Sequence, residues 1–530
     1  MKGLAIAGIA AATLFGAWLR VHGLDIQVVQ DDEWHAIHKL MTSSYGEIAR
    51  SFGFADHSIP LTLFYKAMAD TIGLDEVDMR IVQVLCGIAL IATCGAIALR
   101  ATANAAIATL LAFLIAGAPF LVLYSRFARP YAITTLLTVL VLAALWRWRS
   151  TRSLALGAAI CAGASLSAWL HPLSALYPMA ALLYLLADDL QSSGWRWTAA
   201  RTTILLGIAA GIAILLPLLP PLLDDLQSLA AKAGDSRPTA YTLSRMASLF
   251  FGGLPDALTA IAVAVALIGV RPLRGFKGPD LYLLFVTAAP LLVVIALRGS
   301  WTHQGHTLAR YVFPAQLAFL FWFSRGAVEL VGRLSRERPA VEGAAVAVII
   351  AGYLMLNPAI TQVTTLGPWY GHLYYHFDYI AEDNRALRYY DHWEVPGFYK
   401  ELGRMPAGSV TIIEAPFKFD APYNPDAFYA QFHHQHELQG FLYDVCYTGP
   451  RYGEVPNDPR FRFRSFIYLD DREAVRRSGA SYLVFQRDLL HGAPFEESGT
   501  CLAALERSYG EPVESDARVA VFDLRKGPYR

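Results

Sequence analysis

Residues 81–99 read IVQVLCGIALIATCGAIAL, an apolar run that contains no charged side chain. A run of this length predicts a helix that crosses a lipid bilayer, because about 20 apolar residues rising 1.5 Å each span the hydrocarbon core. Ten further apolar runs are found along the chain. They cover residues 3–19, 103–123, 132–146, 153–170, 173–186, 202–222, 257–270, 281–297, 312–323 and 341–356. The sequence therefore predicts an α-helical polytopic membrane protein with about 11 transmembrane helices.

The composition agrees with a membrane protein. The 530 residues are 55% hydrophobic and 17% charged, whereas soluble proteins carry about 25% charged residues. The formal net charge is zero, so the charge balance does not suggest a nucleic-acid partner. Membrane lipids are the expected surroundings.

Basic residues predict the orientation of the helices. Short connections rich in Arg and Lys favour the cytoplasmic side. With the N-terminus inside, these connections are Arg147-Trp148-Arg149 and residues 194–201, 271–277 and 332–338. The first apolar run ends at Trp18-Leu19-Arg20, without a small-residue cleavage site, so we expect a retained anchor rather than a signal peptide. We expect a multi-pass protein of the cell (inner) membrane with a cytoplasmic N-terminus.

The chain divides by composition at about Asn357. We predict a transmembrane domain over residues 1–356, whose first extracytoplasmic loop covers about 20–80, and a C-terminal extracytoplasmic α/β domain over 357–530. Short β-type runs at 409–414, 465–469, 481–486 and 519–524 alternate with helical patterns at 471–478 and 500–509. Cys446 and Cys501 fall in this part. An oxidising compartment would favour a disulfide between them, and the sequence leaves the pairing open.

Ionisable residues concentrate on the predicted outer face. The first outer loop carries Asp31-Asp32-Glu33-Trp34-His35, and every connection between spans that contains a histidine is predicted on that side. Taken singly, each of these residues has a structural alternative, such as a solvated loop end or a membrane-interface anchor. Together they indicate a functional site at one end of the helix bundle. The remaining members are His57, Arg80, Arg126, Arg129, Tyr131, His171, His303, His306 and Arg310.

This set of side chains suits group transfer from a phosphorylated lipid. A carboxylate acts as general base toward a hydroxyl, and fixed arginines bind a phosphate and stabilise the charge on a departing one. We predict Asp32, Asp31 and Glu33 as the catalytic group, and Arg126, Arg129, Arg310 and Tyr131 as the donor phosphate site. The predicted residues for acceptor or sugar binding are His57, His171, His303, His306, Arg80 and Trp34.

The order of these motifs resembles the GT-C superfamily of membrane glycosyltransferases, in the branch of protein O-mannosyltransferases and the lipid A aminoarabinose transferase. Asp32-Glu33 is similar to the Asp-Glu pair of that family's first outer loop. His57-Ser58-Ile59-Pro60-Leu61, the run from Gly73 to Arg80, Arg129-Pro130-Tyr131 and Arg310-Tyr311 resemble its later motifs in order. The resemblance covers about residues 1–356 in layout, together with a C-terminal extracytoplasmic domain.

The resemblance implies an inverting transferase with a polyprenyl-monophosphate sugar donor, for which Asp32 would be the base. The acceptor would be an envelope glycan, a lipid or a protein. Either Asp31-Asp32 or Asp32-Glu33 is the working pair, since adjacent carboxylates raise each other's proton affinity. No cofactor is expected to be required, and no metal ligand is assigned. A divalent metal at Asp31, Asp32, Glu33 and His57 stays an open alternative.

Two other functions remain in competition. A transporter of lipid-linked glycans would favour internal repeats and charges at mid-membrane, whereas the charges here lie at one end of the spans. A ligase with a diphosphate-linked donor would release a different lipid product. The identity of the donor sugar is not encoded in these motifs.

Overall fold

The computed structural model describes residues 2–27, 29, 32–53, 58–192, 197–234, 236–270, 278–335, 338–357, 359–360, 363, 395–417, 426–446, 457–487 and 498–526. Two compact units are formed. The first comprises Met1–Arg20, Lys39–Phe64 and Val82–Ile360, and the second comprises Val21–His38, Tyr65–Ile81 and Thr361–Arg530. Two segments of the predicted first outer loop thus belong to the same unit as the C-terminal residues. The predicted boundary at residue 357 stays a prediction.

The long helices before residue 360 coincide with apolar runs of the sequence, and shorter helices lie between those runs. In chain order they are α1 Lys2–Val21, α2 Glu33–Thr42, α3 Tyr45–Ala49, α4 Ile59–Thr71, α5 Glu76–Thr102, α6 Ala105–Gly117, α7 Pro119–Ser125, α8 Tyr131–Thr151, α9 Leu154–Leu170, α10 Leu176–Ser192, α11 Trp197–Asp224, α12 Leu226–Ala230, α13 Ala240–Phe250, α14 Asp256–Val270, α15 Pro279–Leu297, α16 Gly305–Tyr311, α17 Ala315–Leu334 and α18 Pro339–Leu356. A 3₁₀ turn, Pro172–Ala175, precedes α10.

The helix ends have local causes. Asn104 caps α6, because its side chain accepts hydrogen bonds from the backbone N–H groups of Ala106 and Ile107. Pro119 has no N–H to donate and begins α7, and the pair α6–α7 is bent by 59° at this point. Pro290, by contrast, lies inside α15, which runs on through it. The sequence pattern at 103–123 is therefore one apolar run but two helices.

Six helical spans in the described residues are long and apolar enough to cross a membrane, or seven if the bent pair α6–α7 counts as one. The predicted count of 11 is not confirmed. Apolar helices at 154–170, 256–270 and 340–356 are shorter than the others. At 1.5 Å per residue, a helix of 15–17 residues falls short of a hydrocarbon core about 30 Å thick.

Large apolar side chains point outward from these helices. Leu216 is 70% exposed and Leu267 63% exposed on helices that carry few charges. Such side chains are stable at a lipid-facing surface rather than in water. The chain is an integral membrane protein.

The C-terminal residues form a six-stranded sheet with helices. In chain order the elements are α19 Gly397–Leu402, β1 Thr411–Ala415, α20 Asp426–His433, β2 His436–Phe441, β3 Phe466–Tyr468, α21 Arg472–Arg477, β4 Tyr482–Gln486, α22 Ser498–Tyr509, β5 Glu514–Ser515 and β6 Val519–Asp523. The strand order is β3-β2-β1-β4-β6-β5. The first four strands in this order are parallel, and β6 and β5 pair antiparallel.

Alternate residues of the central strands bury opposite faces of the sheet. Ile413 in β1 lies beside Leu438 and Leu483, and its face packs on the Cys446–Cys501 disulfide, whose S–S distance is 2.08 Å. Ile412 belongs to the other face, with Tyr399 and Val484. The sheet is thus buried on both sides, as parallel sheets require. The four predicted strands and two predicted helices of this region are confirmed, and the sequence missed β2 and β5.

Candidate functional site

The described part of the acidic stretch, Asp32 and Glu33, lies at the beginning of α2. Asp32 directly precedes that helix, and its side chain is 16% exposed. One carboxylate oxygen of Asp32 is 3.5 Å from Nε2 of His35, three residues later on the same helix. Asp31 and His57 lie outside the described residues, so their predicted roles stay predictions.

Glu33 and Arg80 form a fully buried ion pair. Nε of Arg80 donates to Oε1 of Glu33 at 2.9 Å, and Nη2 donates to Oε2 at 2.7 Å. A third nitrogen, Nη1, donates to the carbonyl of Gln27 at 2.7 Å. Both side chains are 0% exposed. This bidentate contact joins the start of α2 to the second turn of α5. Bidentate pairing is the most specific geometry in which arginine binds a carboxylate.

Trp34 is a buried residue within the second unit. Its side chain is 1% exposed, and its ring stacks on Phe466 with a centroid distance of 5.0 Å. Phe417 and Phe463 complete the surroundings, at 5.3 and 6.3 Å. Stacking of this indole on a sugar would require the packing to open. The sugar-binding role predicted for Trp34 stays a prediction.

In the first unit, four predicted residues come together: Arg129, Tyr131, His171 and Arg310. The guanidinium carbon of Arg310 is 5.8 Å from the ring centre of Tyr131, and the ring of His171 is 5.4 Å from that of Tyr131. His171 lies between α9 and the 3₁₀ turn that precedes α10. Burial, followed by the positive charges of Arg129 and Arg310, lowers the pKa of His171 to about 3. The imidazole is therefore neutral at pH 7, because burial and the positive charges of both arginines disfavour its protonation.

Arg126 donates a hydrogen bond to a backbone carbonyl in the same unit, and its predicted role in binding the donor phosphate stays a prediction. It is 1% exposed at the end of α7, and its Nη1 donates to the carbonyl of Leu19 at 3.1 Å. Its neighbour Ser125 accepts from Nε of Arg20 at 3.1 Å. Arg20 also donates to the carbonyls of Gly16 and Ala116, both at 3.0 Å. None of the sequence motifs includes Arg20, although it directly follows the first apolar run.

The two later histidines lie near the start of α16. Nδ1 of His303 is 2.7 Å from the hydroxyl of Ser236, and the backbone N–H of His303 donates to that hydroxyl at 2.8 Å. His306 is 5% exposed within α16. Ser236 was not identified from the sequence. The roles predicted for both histidines stay predictions.

One buried group in the sheet domain has the composition of metal ligands. Glu414, His433 and Glu437 offer ligand atoms that all lie within 4.8 Å of one another. The N–H of Gln435 donates to Nδ1 of His433, and burial lowers the pKa of His433 to about 3. The neutral ring therefore carries its proton on Nε2, which is 3.1 Å from Oε1 of Glu437. The contact between Nε2 and Glu437 is a close approach without hydrogen-bond geometry. A metal at Nε2 would move the ring proton to Nδ1, and the contact with Gln435 would then break.

Comparisons with known proteins return structural neighbours. No family model matches the chain, and neither does any curated protein. The chain is similar to a solved structure of ArnT from Cupriavidus metallidurans bound to undecaprenyl phosphate, with 13% identity and a TM-score of 0.43 over 98% of each chain. It is also similar to the apo state of ArnT from the same organism, with 15% identity and a TM-score of 0.44 over 98% of each chain. At these values the similarity carries no conclusion about the chemistry of this chain.

Proposed function

We propose that the protein is a membrane glycosyltransferase that moves a sugar from a polyprenyl-monophosphate carrier to a hydroxyl acceptor, with inversion. The observation that carries the proposal is the cluster in which Arg310 lies 5.8 Å from the ring centre of Tyr131 and that ring lies 5.4 Å from the ring of His171. Arg129 and Arg310 both contribute positive charge at His171. It is supported by the resemblance of the motif order to the GT-C superfamily.

Arg129 and Arg310 are suited to the donor phosphate. A guanidinium group keeps its charge at any physiological pH and donates two parallel hydrogen bonds to a phosphate. Aromatic neighbours such as Tyr131 and Tyr311 hold the Arg310 head by cation–π contact, with 5.8 Å to each ring centre. The two arginines would bind the donor phosphate and stabilise the negative charge that it gains on departure.

Asp32 is the proposed general base. Its carboxylate would take the proton of the acceptor hydroxyl as the hydroxyl oxygen forms a bond to the anomeric carbon. The bond between that carbon and the phosphate oxygen breaks, and the lipid monophosphate leaves with the electron pair. A single displacement of this kind inverts the anomeric centre. Glu33 is engaged with Arg80, so Asp32 rather than Glu33 is the preferred base.

The reaction would occur on the extracytoplasmic side of the inner membrane. The Cys446–Cys501 disulfide supports this placement of the C-terminal domain, because disulfides persist in oxidising compartments. The acceptor would be a glycan, a lipid or a protein of the envelope. No metal step is required by the proposed displacement.

The test uses the full-length protein in lipid vesicles with polyprenyl-phosphate-linked sugars, and mass spectrometry of the released lipid. Wild type should release a lipid monophosphate. Asp32→Asn should transfer about 10²–10⁴-fold more slowly, which is the usual contribution of a general base. Asp25→Asn is the matched control, since Asp25 belongs to the same loop, is 55% exposed, and should leave transfer unchanged.

Other outcomes would replace the proposal. Release of a lipid diphosphate would identify a ligase with a diphosphate-linked donor. Movement of an intact lipid-linked glycan across the vesicle, with no bond broken, would identify a transporter. A fully active Asp32→Asn protein would remove Asp32 from the mechanism.

A further inference from the structure

We infer that the C-terminal sheet domain is a positioning platform for the segment that bears Asp32, with Trp34 and Glu76 as the positioning residues. The inference rests on the proposed function, because it assigns Asp32 the role of base. It gives the C-terminal domain a part in the chemical step.

The first contact of the platform is aromatic. Trp34 follows Asp32 by two residues, and its indole is enclosed by Phe417, Phe463 and Phe466. Phe417 comes two residues after β1 ends, and Phe466 begins β3. Buried aromatic rings hold their neighbours firmly, because each buries a large apolar area and packs in a preferred orientation. The first turn of α2 is thereby fixed to the sheet.

The second contact is a buried carboxylate. Glu76, in the first turn of α5, is 1% exposed. Its Oε1 accepts from the backbone N–H of Ser465 at 2.8 Å and from the Ser465 hydroxyl at 2.7 Å. One turn further along α5, Arg80 binds Glu33. The start of α5 therefore connects the sheet domain, through Glu76, to the residue beside Asp32, through Arg80.

Hydrogen bonds also attach the segments before and after Asp32 to the sheet domain. Leu74 donates its N–H to the carbonyl of Arg460 at 2.9 Å, and the N–H of Arg462 donates to the carbonyl of Leu74 at 2.8 Å. On the other side of Asp32, the side-chain Nε2 of Gln439 in β2 donates to the carbonyl of Val29. Asp32 thus lies between residues that are attached to the sheet domain before and after it. A base held in this way keeps the geometry on which proton transfer depends.

The experiment compares paired substitutions in the full-length protein. Trp34→Ala should lower kcat about 100-fold with KM for donor and acceptor within about twofold, because a displacement of about 1 Å costs this much in rate. Trp34→Phe keeps the stacking and should stay within about threefold of wild type. Glu76→Ala should lower kcat, whereas Glu76→Gln keeps the acceptor oxygen for Ser465 and should restore it. Asp70→Asn is the control, because its contact with Arg460 is partly exposed.

Hydrogen exchange of residues 32–42 separates this inference from the proposed function. Faster amide exchange in Trp34→Ala and Glu76→Ala, but not in Asp70→Asn, would support the platform even if wild type transferred no sugar. Unchanged exchange in both alanine variants would overturn it. A raised KM with unchanged kcat in Trp34→Ala would also overturn it, since that result describes an indole that binds substrate. Loss of activity in Glu76→Gln equal to that in Glu76→Ala would contradict a positioning role for Glu76.

Discussion

Arg80 and Arg310 are the same side chain in two opposite settings. Arg80 is 0% exposed and bound at two points by the carboxylate of Glu33, so its charge is matched by a neighbour from its own chain. Arg310 lies against the rings of Tyr131 and Tyr311, and its charge lowers the pKa of His171. The first setting holds two segments together, and the second is the one for which we propose binding of the donor phosphate. The neighbours of an arginine, rather than its place in a motif, decide between these roles.

The largest effect is expected from the removal of Arg80, which tests its role in holding two segments together. Arg80→Ala should reduce the free energy of unfolding by about 3–5 kcal/mol, because Glu33 would keep a buried charge without its guanidinium partner. The measurement is denaturant unfolding of the purified protein in detergent, followed by circular dichroism.

The matched control for Arg80 is the loss of both charges. Glu33→Leu combined with Arg80→Met leaves no buried charge at this place, and it should be less destabilising than Arg80→Ala alone. Equal destabilisation by the single and the double variant would mean that the ion pair is not the source of the effect. It would weaken the contrast between Arg80 and Arg310.

A smaller effect is expected at the other arginines, and on binding rather than folding. Arg129→Gln and Arg310→Gln should each weaken the binding of a polyprenyl phosphate about 10–150-fold, since a hydrogen bond to a charged group contributes about 1.5–3 kcal/mol. Titration of the lipid into detergent-solubilised protein measures the dissociation constant, with no need for the donor sugar.

Arg149→Gln serves as the control for these two variants. Arg149 is paired with Asp188 through contacts of 2.8 and 2.7 Å, so it resembles Arg80 more than Arg310. Its substitution should leave lipid binding unchanged. Equal weakening by Arg149→Gln would show that the lipid responds to total charge rather than to a defined site.

The sequence predicts much of this architecture and less of the site. Apolar runs locate the long helices, because a bilayer requires long apolar segments. Short apolar runs rich in β-branched and aromatic residues locate β1, β3, β4 and β6. The bend at Pro119 divides one run into two helices, which a hydropathy pattern does not distinguish. β2 was missed because its sequence HELQGF places Glu437 and Gln439 at buried positions.

The gathering of Arg129, Tyr131, His171 and Arg310 was predictable only as a shared side of the membrane. Their side-chain distances depend on tertiary packing, which no local pattern contains. The same limit applies to Trp34, since its motif places it beside Asp32 and only the packing buries it among Phe417, Phe463 and Phe466. Arg20 and Ser236 were missed because their partners are distant in the chain.

The smallest expected effect concerns pH and the charge around His171. The native pKa of about 3 lies below the ordinary value of 6.5, so between these values the unfolded state binds a proton that the folded state does not. Stability therefore falls as pH falls through 6.5, and His171 should account for a loss of about 1.4 kcal/mol between pH 7.5 and 5.5. His171→Gln cannot titrate, so its unfolding free energy should change less over this interval, by that amount. Denaturant titration of both proteins at the two pH values measures the difference. If the unfolding free energy of both proteins changes equally with pH, the pKa of His171 in the folded protein equals its value in water. The positive charges of Arg129 and Arg310 then do not lower that pKa. The contrast between Arg80, whose charge is matched by Glu33, and Arg310, whose charge acts on His171, would then not hold.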